Sequence, residues 1–408
     1  MKNNNPMKEL LYFDWAAAAP MEADIIRQAA EIAIQHFGNP SSTHLAGADA
    51  KSLLAQIRSA CAKTLEVKPE QLFFTSGGTE ANHLPLLSLL QRPSAGTVVI
   101  SAIEHPAIRE QADMLRHCGW KVVQVRPGST GIVEPDAIQA ALTNDTILVC
   151  LMAVNNETGA IQPVYQVADF LTKNAKETGK RRPRLHVDCV QAAGKVPLCL
   201  SYPGIDSAAF SAHKIGGPRG IGILYLSQKI ESFVRGGGQE QGIRSGTENL
   251  GGAWALSKCL ERHYLAAGFD SVSQKAAPKA SPALDRFLQQ KEMTSHFLTQ
   301  LKAIKGCTLI PECRLDPAQE DKFSPWIVQA AFTGIPGEVL VRAMSERGIA
   351  ISTGSACSSR KLSRPVLEAM GISRDLATNG VRFSFGPTTT GQDMDRLLSA
   401  LREIRQLF

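Results

Sequence analysis

Short apolar runs alternate with longer mixed segments from about Pro40 to Leu226, and that alternation leaves few folds open. The runs QLFFTS, GTVVIS, KVVQVR, TILVCLMAV, RLHVD, SAAFS and GIGILYL each have the length and apolar density of a largely buried strand. Between them lie stretches such as AGADAKSLLAQIRSACAKTL and PVYQVADFLTKNAKETG, whose apolar residues recur at spacings of three and four, the period of a helix face. Strands that alternate with helices predict an α/β fold, with a mostly parallel sheet and helices on both faces. Ligand sites in such folds lie at the carboxyl ends of the strands.

After Gly252 the texture changes. GGAWALSKCLERHYLAAG predicts a long helix, and the following stretch at 271–293, rich in Lys, Ala, Ser and Gln, reads as a linker or exposed insertion. HFLTQLKAIKG, SPWIVQAAFTG, a helix GEVLVRAMSERG, a loop around Cys357 and a final helix DMDRLLSALREIRQ then read as a smaller α+β domain. Two domains also suit a chain of 408 residues. Lys and Arg number 44 against 38 Asp and Glu, a net charge of +6. That balance is too mild to argue for nucleic acid or a membrane, though it suits an acidic partner protein. The first residues carry no signal-peptide pattern, and no apolar run is long enough to cross a bilayer. The nine cysteines are odd in number and form no C-x-x-C pair, which argues for a reducing cytosol over a disulfide framework or zinc site.

Several segments carry chemistry, each with a blander alternative. QLFFTSGGTEAN reads as strand, Gly-rich turn and helix; Gly77 and Gly78 allow close backbone approach, and the N–H groups of a helix start bind anions. Thr79 adds a hydroxyl there or simply caps the helix. In HVDCVQAAGK, Asp188 ends an apolar run with Gln191 three residues on; a carboxylate in that place can hold a protonated heterocycle nitrogen or cap a helix. Lys214, in SAHKIGGPRG, stands between a strand and a Gly/Pro-rich turn, flanked by Ser211 and His213. A lysine near buried surface can lose its proton and form a Schiff base, whereas a solvated loop is the usual place for one. His105 follows another strand and can stack on a flat ring and move protons, or lie at the surface. Arg382, on a short strand, can fork onto a carboxylate or form a salt bridge. GGGQEQGIRSGTEN, with Thr247, suits a phosphate, a second chain or a plain loop. Cys357 stands among small residues near Arg360 and Lys361, a setting that favours thiolate over packing. Most of the other cysteines lie in apolar helix or strand contexts, with Cys307 and Cys313 less clear.

The joint order of these segments says more than any one of them. YFDWAAAAP, GNPSSTHLAG, FTSGGTEAN, EHPAI, NNETG, HVDCVQAAGK, SAHKIGGPRGIGILY, GGGQEQGIRSGTEN, STGSAC and VRFSFG resemble, in this order, cysteine desulfurases of the NifS/IscS kind, which are class V aminotransferase-like enzymes. The resemblance runs from about Tyr12 to the C-terminus, is most specific from Phe73 to Asn249, and is weak across 265–325. It implies the fold type I architecture of enzymes dependent on pyridoxal 5'-phosphate (PLP). A large domain (15–262) would carry a mostly parallel seven-stranded sheet, and a smaller α+β domain (1–14 and 263–408) the catalytic-cysteine loop. It further implies a cytoplasmic homodimer that converts L-cysteine to L-alanine and delivers sulfur, as a persulfide on Cys357, to an acceptor such as an iron–sulfur scaffold or a tRNA-thiolation protein. No metal site is implied beyond transient contact of Cys357 with an iron–sulfur cluster.

Residue by residue, the resemblance implies that Lys214 carries PLP covalently, His105 stacks on its ring, Asp188 pairs with its pyridine nitrogen and Gln191 bonds its phenolic oxygen. Gly78, Thr79, Ser211 and His213 would hold the phosphate, with Thr247 reaching in from the partner subunit. Asn156 and Arg382 would bind the substrate carboxylate. Selenocysteine lyase or another PLP reaction on the same scaffold, and a non-catalytic sulfur-assembly scaffold, are the competing readings. Cys357 argues against plain transamination, and the company of Lys214, Asp188, His105 and Cys357 argues against a scaffold. Three features depart from the pattern: Trp15 and alanines in DWAAAAP, where contacts at the substrate mouth are expected; His83, read as a change on a helix surface; and the long polar stretch at 271–293.

Overall fold

The seven apolar runs form one sheet. In the computed structural model, which describes residues 10–270, 275–354 and 363–408, the order across it is Leu72–Thr75, Gly222–Leu226, Ser207–Ser211, Arg184–Asp188, Thr146–Cys150, Thr97–Ser101 and Lys121–Val125. Gly222–Leu226 runs antiparallel to both neighbours, and the remaining pairings are parallel. The central strands read as unbroken apolar runs because helices cover both faces. Lys121–Val125 is an edge strand, and only its last residue is buried, which accounts for its mixed composition.

Six strands therefore end at one edge of the sheet, and the reversed strand begins there, with Gly222 opposite both Thr75 and Ser211. Successive strands proceed in opposite directions across the sheet from the neighbours Thr97–Ser101 and Thr146–Cys150. Chain crossings diverge at such a point, and a crevice opens outside the strand ends.

A three-stranded antiparallel sheet, Cys307–Ile310, Ile327–Phe332 and Gly380–Ser384, lies in the C-terminal part. Leu11–Tyr12 pairs in parallel with Ile349–Ala350, so the start of the chain is tied to its last third. Two expectations need correction. The helix that starts at Leu250 ends at His263, because Leu265 and Ala267 instead exchange backbone bonds with Leu198. The stretch read as a linker is largely structured: Pro282–Lys302 is one helix of 21 residues capped by Ser281, and Lys275–Pro278 pairs with Ala267–Asp270. Its helical period was hidden because the inward face carries Gln290 and Thr294. These bond to each other at 2.8 Å, and Thr294 donates to the Pro325 carbonyl at 2.7 Å, so no apolar stripe is needed there.

Candidate active site

The strand ends open into a cavity of about 1350 Å³. Gly78, Thr79, His105, Asn156, Asp188, Gln191, Ser211, His213, Lys214 and Arg382 all line it. Most arrive at or just past a strand end: Asp188 and Ser211 are terminal strand residues, Lys214 closes the single turn Ala212–Lys214, and Gly77 precedes the helix Gly78–Leu87, whereas Arg382 comes from the middle of Gly380–Ser384 in the smaller sheet. Thr79 is not the cap of that helix. Gly77 holds the position with φ +153°, no side chain caps the first turn, and a Cβ there would meet only Ser211 Oγ, at 4.0 Å. The helix start therefore presents N–H donors to open space, the arrangement that binds phosphate.

Asp188 is buried at the end of a polar relay. His186, fully enclosed, is pushed down to about 3 by burial and is neutral. Its Nε2 lies 2.9 Å from Asn82 Oδ1, an acceptor, so Nε2 carries the proton and Nδ1 accepts from Ser207 Oγ at 2.8 Å. Asn82 then turns its amide nitrogen to Asp188 Oδ2, 2.9 Å away, while Val190 N–H donates to Oδ1 at 2.9 Å. Burial raises the Asp188 pKa; the nearby His105 and these donors oppose it.

His105 caps the helix Pro106–His117, its Nδ1 accepting from Ala107 N–H at 3.1 Å. Burial lowers its pKa, which favours the neutral ring with the proton on Nε2. His213 is pushed down to about 4, by burial first and then by Lys214; its Nδ1 lies 2.8 Å from Ser211 Oγ. Lys214 Nζ donates to the carbonyls of Ala16 and Ala17, both at 2.7 Å. The departure at DWAAAAP thus sorts into two parts. Ala16, Ala17 and Ala18 line the cavity, whereas Trp15 packs against Gly386, where a Cβ would lie 2.0 Å from the indole.

Residues 11–397 match the model of the class-V aminotransferases. The chain belongs to the class-V aminotransferase family. It is 35% identical over 405 residues to a NifS/IcsS protein homolog of Lactobacillus delbrueckii subsp. bulgaricus, covering 98% of each chain. It is 33% identical over 421 residues to cysteine desulfurase IscS of Pseudomonas putida, covering 98% of this chain and 95% of that one. A solved NifS-like protein superposes with a TM-score of 0.84 at 30% identity, over 98% of this chain and all of the other. A solved structure of SspA in complex with cysteine superposes with a TM-score of 0.74 at 26% identity, over 93% of this chain and 99% of that one.

In this class-V aminotransferase Arg382 is 2% exposed and already paired: it donates to Asp14 at 2.7 Å and to the carbonyls of Asn156 at 2.8 Å and Gly354 at 3.3 Å. Thr247 is exposed and does not line the cavity. Cys357 lies outside the described residues, but Gly354 and Ser363, near either end of its segment, both line the cavity. His83 is half-buried beside the Ala107 backbone and close enough to influence His105, so it is not a surface change.

Sequence reasoning missed Glu104. Its Oε1 accepts from Ser101 Oγ at 2.5 Å and from Met152 N–H at 2.8 Å, joining the two strand ends at which the sheet's crossings diverge. Its Oε2 is buried with no partner, and burial pushes the carboxyl up to about 8. The only available signal was its place beside His105 in EHPAI. Asn82, in GTEAN, was missed for the same reason: its role exists only across the fold.

Proposed function

We propose that this chain is a PLP-dependent cysteine desulfurase. The reading rests on one observation above all: Lys214, His105 and Asp188 share a cavity with an open glycine cradle at a helix start, and both flanks of the Cys357 segment border that cavity. Its relatives among cysteine desulfurases support the choice of substrate.

The residues present fit PLP. The space beside Gly77, with uncapped N–H donors and Ser211 close by, suits a phosphate. Asp188, an enclosed carboxylate fixed by two donors, suits a protonated ring nitrogen. When bound, PLP supplies an electron sink for charge that develops at the substrate Cα. Lys214 would hold the cofactor through its amine, and its nitrogen is placed to take the proton from the substrate Cα. Asp188 keeps the proton on the ring nitrogen, Gln191 donates to the phenolic oxygen, and Gly78, Thr79, Ser211 and His213 bind the phosphate. Neutral His105 covers the ring, and to accept the substrate thiol proton its Nδ1 must release the bond from Ala107 N–H. Asn156 and Arg382 orient the substrate carboxylate, for which Arg382 must share or exchange its bond to Asp14. Cys357 thiolate takes the sulfur, so that L-cysteine and the Cys357 thiol become L-alanine and a Cys357 persulfide.

The same reading assigns residues 15–262 to a PLP-binding domain and residues 1–14 with 263–408 to a smaller one. It also includes a cytoplasmic homodimer with Thr247 serving the partner's site. Exposed Ile34, Phe37 and Leu45 suit burial in such an interface. The persulfide would pass to a sulfur-acceptor protein, such as an iron–sulfur scaffold or a tRNA-thiolation protein. Borohydride reduction and peptide mapping test the cofactor assignment. The adduct is expected on Lys214, and Lys214→Ala is expected to retain none; an adduct on another lysine contradicts the reading.

A further inference from the structure

The polar wall of the cavity continues one layer deeper, to a lysine for which the proposed chemistry has no use. Lys195 stands four residues beyond Gln191 and is buried. A lysine is almost never enclosed without a partner, and here Nζ donates to Gln191 Oε1 at 2.7 Å. Gln191 Nε2 in turn donates to the Ala16 carbonyl at 2.8 Å. That same carbonyl receives Lys214 Nζ at 2.7 Å. The two lysines also line one small cavity of about 30 Å³, beside Trp15, Trp326 and Phe385. Lys195 is itself anchored, since its carbonyl accepts from Trp326 Nε1 at 2.7 Å.

An amide has two unlike ends, and the one it offers to a site is decided by what holds the other. A lysine ammonium has only donors to give, and the neutral amine that burial favours still keeps two N–H groups beside its one lone pair. Lys195 donates to the Gln191 oxygen from behind, and the Ala16 carbonyl, which can only accept, takes the NH2 end, so the amide presents its donor end toward the cavity. One N–H is taken by Ala16, and the second remains for an oxygen in the cavity.

We propose that Lys195 is a positioning residue that locks the Gln191 amide with its donor end toward the cofactor, and thereby sets how tightly the Lys214 nitrogen holds its proton. The proposal rests on the PLP reading above. Negative charge on a cofactor oxygen that loses its donor is less stabilised, so the adjacent Lys214 nitrogen keeps its proton to higher pH.

The test is the pH titration of the visible absorbance of cofactor-bound Lys214. In Lys195→Met, which keeps the chain length but removes the donor, the midpoint is expected to rise by about one pH unit. Activity on L-cysteine should fall about tenfold in kcat with little change in KM, the pattern of a lost transition-state interaction. Lys195→Arg, which restores a donor, should return the midpoint most of the way. The other charged or titratable groups around Lys214 and Lys195 are His105, Asp188, His213, Arg219 and Arg382, with Glu22 and His263 across the small cavity. All are unchanged between the variants, so the difference reports Lys195. Thermal melts check folding, and Lys195→Gln, too short to reach Gln191 in the same way, is read identically if the Met variant does not fold. A midpoint unchanged from wild type overturns the proposal while leaving the PLP reading intact. A wild-type protein that takes up no cofactor on Lys214 overturns both.

Discussion

At the scale of single residues, the site is built from groups whose burial sets their charge. Glu104 is the sharpest case. Its carboxyl is pushed up to about 8 from an ordinary 4.5 because it is enclosed, with one oxygen unpartnered. The unfolded chain ionises this group at the ordinary value, so between those two pH values the folded state binds more protons. Its stability contribution is present below the lower value and is lost as pH rises through the upper one. Each pH unit of the gap corresponds to about 1.4 kcal/mol. Glu104→Gln keeps the oxygen that serves Ser101 and Met152 and never ionises. In urea titrations of cofactor-free protein it should therefore exceed the parent by about 5 kcal/mol at pH 9 and show no advantage near pH 4. A difference independent of pH would contradict the assignment. The pair Asp188 and His186 divides its work in the same way: the buried imidazole stays neutral and, through Asn82, fixes the carboxylate without neutralising it.

At the scale of elements, what matters is how closely the reversed strand Gly222–Leu226 meets the glycine cradle. A Cβ on Gly222 would come within 2.5 Å of the Phe210 carbonyl oxygen and 2.7 Å of the Gly77 carbonyl carbon. Neither backbone atom can yield without moving the turn that starts the helix Gly78–Leu87. Gly222→Ala should weaken PLP binding at least about tenfold while far-ultraviolet circular dichroism stays near that of wild type. Unchanged affinity by fluorescence titration would mean that the cradle does not hold the phosphate. The elements themselves were legible wherever burial and period agree. Thr97–Ser101, Ser207–Ser211 and Gly222–Leu226 are buried throughout and read as apolar runs. The helix Pro282–Lys302 is hidden in the sequence because its buried face is partly polar, with Gln290 bonded to Thr294 and Thr294 to the Pro325 carbonyl. Helix Leu250–His263 is shorter than its sequence suggests, because AAG suits a helix and only the distant Leu198 diverts the chain.

At the scale of the whole molecule, the site is assembled by contacts that no local pattern announces. Arg382 meets Asp14 across 368 residues of sequence, and Lys214 meets the Ala16 carbonyl across 198. Motifs made the reacting residues legible as a set, because their types and order carry the chemistry. The supporting layer of Glu104, Asn82 and Lys195 was not legible, because its meaning comes from what the fold sets beside it. Among the eight described cysteines, all free, six are buried, and burial pushes Cys61, Cys259 and Cys307 up to about 12. Such thiols are poor nucleophiles, which leaves the sulfur-accepting role to a thiol that can enter the cavity. The central claim is that Cys357 takes sulfur from L-cysteine. The most direct measurement is peptide mass spectrometry of the PLP-loaded protein after addition of L-cysteine, with released alanine quantified in parallel. In the first turnover one added sulfur atom is expected on Cys357 for each alanine formed, and a Cys357→Ser variant is expected to keep its cofactor but form no alanine in turnover. Wild-type alanine production by that variant, or sulfur found on Cys118 or another thiol in place of Cys357, would contradict it.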